Sequence, residues 1–201
     1  MPELMVDLIT SLDGYAAAQG WPGWWGLEGP EYLAWLEASP EKGFEVLLGA
    51  TTYLLMSQMS TAAATQGQQD YRPDEAESLT GLDAVSKVVF SSSLSEPLAW
   101  PNTRLVSTDA VEAVRAMKAE GTRPMRTLGS ISLCRSLLTA GLVDRFRLVV
   151  FPVITGATGH ERVYDGYPDV ALDLVESRTF DGRSQLLEYV PKVLQGPPGA
   201  T

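Results

Sequence analysis

An α/β sandwich with a mainly parallel sheet and an antiparallel C-terminal hairpin is predicted by three features of the chain. Strand-like and helix-like segments alternate up to about residue 153. Phe44–Leu48 is a short run that is apolar except for Glu45, as expected of a strand covered on both faces. Beyond residue 153, two strand candidates flank Asp181-Gly182, a strong hairpin signal. No linker or internal repeat divides the chain, which predicts one domain over residues 1–194 and a frayed Gly/Pro tail over 195–201.

The elements follow in order. Leu4, Val6 and Leu8 alternate with Met5, Asp7 and Ile9 in a first strand over Glu3–Thr10, closed by the turn residues Asp13-Gly14. A loop dense in Gly, Pro and Trp covers 19–29. Pro30 then occupies a first helical position, Tyr32, Leu33 and Leu36 recur at helical spacing, and Pro40 closes the helix. Gly49 ends the Phe44–Leu48 strand, and a helix follows over about Thr51–Met59. Residues 60–81, rich in Thr, Gln, Asp and Glu, are predicted to be a long loop with one short helix near Asp74–Ser78. Lys87–Phe90 and Arg104–Ser107 are strands. Asp109 with Glu112 three residues on starts a helix that Gly121 stops. Met125–Leu128 is a strand and Leu133–Leu138 a helix. Arg145–Val153 is a long strand, and Ala171–Phe180 with Ser184–Val190 form the hairpin.

Composition narrows the functional classes. The 201 residues carry a formal net charge of -10 and no basic run, which argues against a nucleic-acid groove. No stretch approaches 18 apolar residues, and the first basic residue is Lys42, so a soluble cytoplasmic protein is expected. One cysteine (Cys134) and one histidine (His160) leave no internal disulfide and too few typical ligands for a structural zinc. Cys134 reads as a small buried helix residue and His160 as an exposed turn residue. Residues 1–60 hold eight acidic groups and one basic group.

Ligands of such sheets bind beyond the carboxyl ends of the strands. Three of those ends look alike: Leu48-Gly49-Ala50-Thr51-Thr52, Phe90-Ser91-Ser92 and Leu128-Gly129-Ser130. Each puts small or hydroxyl residues where a strand yields to a turn or helix. Free backbone N–H groups and hydroxyls there suit phosphate oxygens, and small residues let a ligand approach the backbone. The same residues also serve as ordinary caps.

Ser11-Leu12-Asp13-Gly14, Leu47-Leu48-Gly49-Ala50-Thr51-Thr52-Tyr53, Leu128-Gly129-Ser130-Ile131-Ser132-Leu133, Gly141-Leu142-Val143-Asp144 and Phe151-Pro152-Val153-Ile154-Thr155-Gly156 occur in the order and spacing of a known family. Over about residues 3–192 the chain resembles the dihydrofolate reductase-like family, especially its riboflavin-biosynthesis reductase C-terminal domain branch. The resemblance implies a three-layer sandwich, a homodimer, NADPH as hydride donor, and a small heterocyclic or imine-like substrate. It places Gly49, Ala50, Thr51 and Thr52 toward the cofactor phosphates and Ser91 and Ser92 near the adenosine. Gly129, Ser130, Ile131, Ser132 and Leu133 would cradle the pyrophosphate at a helix start.

Two positions depart from the family. Ala50 stands where an arginine holds the 2′-phosphate of NADPH, so a charge-assisted contact is missing and NADH becomes possible. Arg72, Arg104 and Arg126 are the candidates to replace it. In Pro30-Glu31-Tyr32-Leu33-Ala34-Trp35, Tyr32 takes the place of the catalytic acid, and Glu31 lies about 100° away around a helix. That argues against folate reduction. Tyr32 is either a proton donor or a pocket-wall aromatic. Asp13 either orients substrate, donates a proton if its pKa is raised, or simply makes the turn.

The expected activity is an NAD(P)H-dependent reductase, with a non-catalytic nucleotide or small-molecule binder on the same scaffold as the alternative. The substrate pocket is expected between Trp24 or Trp25, Tyr32 and Phe151, beside Asp13. The acidic first 60 residues and the lack of a nearby arginine clamp predict a flat, neutral or cationic acceptor. A lid formed by Trp21, Trp24 and Trp25 is the other expectation for the Gly/Trp loop.

Overall fold

A computed structural model describes residues 1–20, 26–66, 73–197 and 199. Ten strands and five α-helices are described, with a 3₁₀ turn at Pro40–Gly43 and another at Leu82–Ala84. The chain runs β1 (Leu4–Ser11), β2 (Tyr15–Ala18), α1 (Pro30–Ala38), β3 (Glu45–Gly49), α2 (Ala50–Gln66) and α3 (Pro73–Gly81). It continues through β4 (Lys87–Phe90), β5 (Thr103–Val106), α4 (Ala110–Glu120), β6 (Met125–Thr127), α5 (Ile131–Thr139) and β7 (Arg145–Phe151). The last strands are β8 (Gly159–Arg162), β9 (Val170–Phe180) and β10 (Ser184–Val193). Eight strands form one sheet in the order β5-β4-β3-β6-β1-β7-β10-β9. The first six are mutually parallel, and β10 and β9 close the sheet in antiparallel fashion. Asp181 and Gly182 both take left-handed backbone (φ 52° and 63°), as a tight hairpin requires.

Alternation along the strands sorts side chains into two layers of core. Leu4, Val6, Leu8, Leu47, Val88 and Leu148 pack with Val114 of α4 and Leu133, Leu137 and Leu138 of α5. The opposite face divides in two. Val149, Phe151 and Leu186 pack with Tyr32 of α1, whereas Val46, Leu48 and Val89 pack with Tyr53 of α2 and Trp100. The result is helix, sheet, helix, with the α1/α2 face split over β6 and β1.

The expected loop over residues 60–81 is helical at its start, and the short helix expected near Asp74–Ser78 is present; residues 67–72 lie outside the described residues. Helix α2 continues to Gln66, and α3 occupies Pro73–Gly81. The hydroxyls that made this stretch look loop-like are satisfied along the helix itself: Thr61 Oγ1 donates to the Ser57 carbonyl and Thr65 Oγ1 to that of Thr61, both at 2.8 Å. Three successive alanines, Ala62–Ala64, add helix propensity. Strands β2 and β8 were not anticipated. They pair only with each other, over four residues each, and carry no strand-like apolar run.

Helix α1 shows how a distant residue completes a local element. Its N-cap, Gly29, has no side chain to offer, and the Asp181 carboxylate supplies the cap instead, accepting from the Glu31 and Tyr32 N–H groups at 3.1 and 3.3 Å. Glu31 returns the contact by accepting from the Asp181 N–H. Only glycine fits at 29, because a Cβ there would fall 2.2 Å from Asp181 Cγ.

Candidate active site

The parallel order β4-β3-β6-β1-β7 lines up five strand ends along one edge. In sequence along it stand Ser91-Ser92, Gly49–Thr52, Gly129-Ser130, Ser11–Asp13 and Phe151–Thr155. At about 4.8 Å per strand the row spans about 19 Å, the reach of an extended dinucleotide. The three turns chosen from sequence are therefore neighbours in space.

Gly129 and Ser130 are successive left-handed residues (φ 57° and 62°) at the start of α5. Gly129 takes this conformation at little cost, whereas Ser130 is strained. The strain aims a hydroxyl sideways instead of capping its own helix. Ser130 Oγ accepts from the Gly49 N–H at 2.7 Å and donates to Thr52 Oγ1 at 2.8 Å. One side chain thus joins the two turns, and the α5 N-terminus keeps its first N–H groups free of a side-chain cap. Cys134 supports the same turn from beneath: fully buried, it donates to the Gly129 carbonyl at 3.0 Å, and burial pushes its thiol up to about 12. His160 is exposed.

Individual assignments fare differently. Ala50 is the first residue of α2 and is half-buried, and Thr51 is exposed. Ser132 is exposed and Ile131 half-buried, but Leu133 is buried in the α4/α5 core, so only its backbone can face a ligand. Ser92 is exposed. Ser91 Oγ accepts from the Ser93 and Leu94 N–H groups at 3.1 Å, closing its own turn.

Asp13 does not meet the condition for proton donation. The Ser11 hydroxyl, at 2.7 Å, holds its carboxyl below the usual value, assisted by the Thr155 N–H at 3.1 Å. Asp13 is an anion that ties the end of β1 to the loop after β7. Tyr32 is 2% exposed and packs against Phe151 edge-on at 5.5 Å, Phe180 at 5.7 Å and Trp35 at 5.9 Å. Phe151 is itself fully buried. Both belong to the apolar cluster beneath α1. Trp21, Trp24, Trp25 and Arg72 lie outside the described residues.

Two arginines lie on the α1 face of the sheet, where the sequence suggests no arginine clamp. Between the two apolar clusters of the α1/α2 face, the sheet presents Asp7 of β1, Arg126 of β6 and Arg147 of β7. Arg147 clamps Asp7 through two nitrogens, at 3.2 and 2.7 Å, and stacks over Trp35 at 4.8 Å. Sequence reasoning missed this group because Arg147 and Arg126 are 140 and 119 positions from Asp7. The available signal was charge in the middle of otherwise apolar strands. Arg126, being in this crevice, is not at the β3 turn. Arg104 is exposed and contacts Met117 Sδ of α4 at 3.5 Å.

Comparisons with known proteins agree with the fold. Residues 2–186 match the RibD C-terminal domain family. A curated relative, the uncharacterized protein YyaP of Bacillus subtilis, is 27% identical over 181 residues, 88% of each chain. Among solved structures, a pyrimidine reductase-like protein of Corynebacterium diphtheriae superposes with a TM-score of 0.62 at 16% identity, covering 95% of this chain and 92% of that one. Dihydrofolate reductase of Enterococcus faecalis, complexed with NADP(H), superposes with a TM-score of 0.60 at 14% identity, covering 94% and 96%. The fold is the dihydrofolate reductase-like sandwich, no described helix is long and apolar enough to cross a membrane, and the chain belongs to the RibD C-terminal domain family of reductases.

Proposed function

We propose that this protein transfers hydride from NADPH to a small, flat heterocyclic or imine-like acceptor. The observation that carries the reading is the Ser130 hydroxyl bridge between Gly49 and Thr52, which fixes two strand-end turns side by side at a helix N-terminus. Gly49, Ala50, Thr51 and Thr52 with Gly129, Ser130, Ile131, Ser132 and the Leu133 N–H would hold the diphosphate, and Ser92 would lie by the adenosine. Such a cofactor supplies the hydride, and the chain supplies position and dryness. Asp13 would order the end of β1 beside the reacting ring without giving up a proton. Tyr32 and Phe151 would form the apolar floor beneath α1.

The acceptor ring is expected to be neutral or cationic, as the charge of residues 1–60 suggests, although Arg126 and Arg147 remove the argument from a missing arginine. NADPH consumption, followed with a panel of C=N and C=C heterocycles beside dihydrofolate, tests the reading. Turnover of a ring acceptor supports it, and efficient turnover of dihydrofolate overturns it. A non-catalytic nucleotide binder is favoured by one observation: Tyr32 is buried and the Ser11 hydroxyl holds Asp13 ionised, so neither is placed to donate a proton. NADPH binding without turnover of any acceptor would decide for it.

A homodimer is also proposed, through the edge strand β9. Leu172, Leu174 and Val175 there are 44–59% exposed. Glu176 and Arg178 flank Ser177, so antiparallel pairing of two β9 strands about Ser177 sets each Glu176 opposite the partner's Arg178.

A further inference from the structure

Ser57, Ser60, Thr61 and Thr65 of α2 line an open cavity of about 560 Å³ together with Asp83 and Trp100. That volume lies within the range of small-molecule pockets, about 300–1,000 Å³. The cavity is not part of the strand-end row. Its wall on α2 begins about 10 Å along the helix from Ala50 and ends about 22 Å along it. Asp83 precedes β4 and Trp100 precedes β5, so the cavity lies by the amino ends of those strands, the far end of the sheet from Ser91 and Gly49.

What the cavity can recognise follows from where its hydrogens point. Ser57 Oγ donates to the Leu54 carbonyl at 3.1 Å, Thr61 Oγ1 to that of Ser57 at 2.8 Å, and Thr65 Oγ1 to that of Thr61 at 2.8 Å. Ser60 Oγ and the Trp100 indole N–H both donate to Asp83 Oδ1, each at 2.7 Å. A hydroxyl has one hydrogen, so all four hydroxyls can offer a ligand only lone pairs. Asp83 Oδ2 accepts no hydrogen bond among the described residues. Among the described residues that line the cavity, Gln58 alone keeps an uncommitted side-chain donor, and Asp83 is the one charged group. The site is therefore built of acceptors.

Lys87 sits behind this wall, not on it. It is 1% exposed, and its Nζ donates to the Leu82 and Val85 carbonyls at 2.5 and 2.7 Å, 4.6 Å from the Trp100 ring centroid. Its charge offsets part of that of Asp83, so a cation without N–H groups gains little in the cavity. A cation that donates hydrogen bonds gains from Asp83 Oδ2 and from the hydroxyl lone pairs as well. Ala62, Ala99 and Pro101 leave an apolar stretch for an alkyl stem. We infer that this cavity binds a small organic cation with N–H donors, an ammonium or guanidinium on a short alkyl stem, at a site separate from the proposed cofactor row. The inference goes beyond the reductase reading and does not depend on it.

The test uses the whole chain and four probes titrated by calorimetry: butylammonium, butylguanidinium, tetramethylammonium and 1-butanol. One or both of the first two should bind saturably and at least about 10-fold more tightly than tetramethylammonium, which has charge without donors, and than butanol, which has no charge. The tighter of the two identifies the head as ammonium or guanidinium. Asp83→Asn keeps an oxygen for Ser60 and Trp100 and sets an amide donor in place of Oδ2, so it should weaken that probe by about 10- to 100-fold. Ala64→Lys changes an exposed lining residue of α2 that has no part in the Asp83 contacts, and the added cation should weaken it by about fivefold or more. Saturating NADPH should leave the affinity unchanged. Absence of saturable binding by both donor cations, equal binding of tetramethylammonium or butanol, wild-type affinity in Ala64→Lys or in folded Asp83→Asn, or displacement by NADPH would overturn the inference.

Discussion

Replacing Ser130 separates the worth of its hydroxyl from the strain of its backbone. Ser130→Ala keeps a side chain at φ 62° and loses both hydrogen bonds, to the Gly49 N–H at 2.7 Å and Thr52 Oγ1 at 2.8 Å. At about 0.5–1.5 kcal/mol each, the loss is about 1–3 kcal/mol of stability. Ser130→Gly loses the same bonds but relieves left-handed strain of about 1–2 kcal/mol, so it should be the more stable of the two by about 1 kcal/mol. Urea unfolding measures both differences. NADPH titration should show no such difference. Both variants free the Gly49 turn from the Gly129 turn and should weaken binding alike, by about tenfold. Wild-type affinity in Ser130→Gly would refute the reasoning, because the bridge would then have no part in shaping the site.

Further expectations follow from the same contacts. Ala50→Arg, at the first position of α2, should raise affinity for NADPH over NADH by about tenfold or more in a comparative titration. A wild-type preference of several hundredfold for NADPH would show that another cation serves the 2′-phosphate. Glu41 is raised by burial but drawn down further, to about 2, by the Ser39 hydroxyl, a backbone N–H, Arg147 and Arg145. Its contribution to stability is therefore complete above its unfolded value near 4.5 and lost as pH falls toward 2. Glu41→Gln should flatten that limb of the stability–pH curve by about 1–3 kcal/mol, as read from urea midpoints. Asp181→Ala should cost about 1–2 kcal/mol by uncapping α1. Gly29→Ala should be costly alone and nearly neutral in the Asp181→Ala background, since the carboxylate it strikes is gone.

What was legible in the sequence was whatever local pattern decides. The mainly apolar run at Phe44–Leu48, the Asp109 cap and the Asp181-Gly182 turn each carry their cause within a few residues, and the structure places β3, α4 and the hairpin there. The three strand-end turns were legible for the same reason. Their adjacency needed the crossover order β4-β3-β6, which no local signal contains. Polar stretches misled where hydroxyls bond back along α2, since composition cannot tell a satisfied Thr61 from a solvated one. The Asp7–Arg147 pair and the Asp181 cap on α1 join residues 140 and about 150 apart, so their partners are visible only after folding. Tyr32 was legible as an aromatic in an acid's place, but its burial among Phe151, Phe180 and Trp35 was not.

The central claim is that the paired turns of β3 and β6 hold a dinucleotide. Titration of NADPH into wild-type protein and into Gly129→Val tests it most directly. Gly129 sits at φ 57°, where a β-branched residue is strained by about 1–2 kcal/mol, and a side chain there stands between Thr52 and the α5 N-terminus. Saturable NADPH binding by wild type, and its loss in a variant that circular dichroism shows to be folded, is the predicted result. Absence of nucleotide binding by wild type, or unchanged affinity in folded Gly129→Val, would contradict the account.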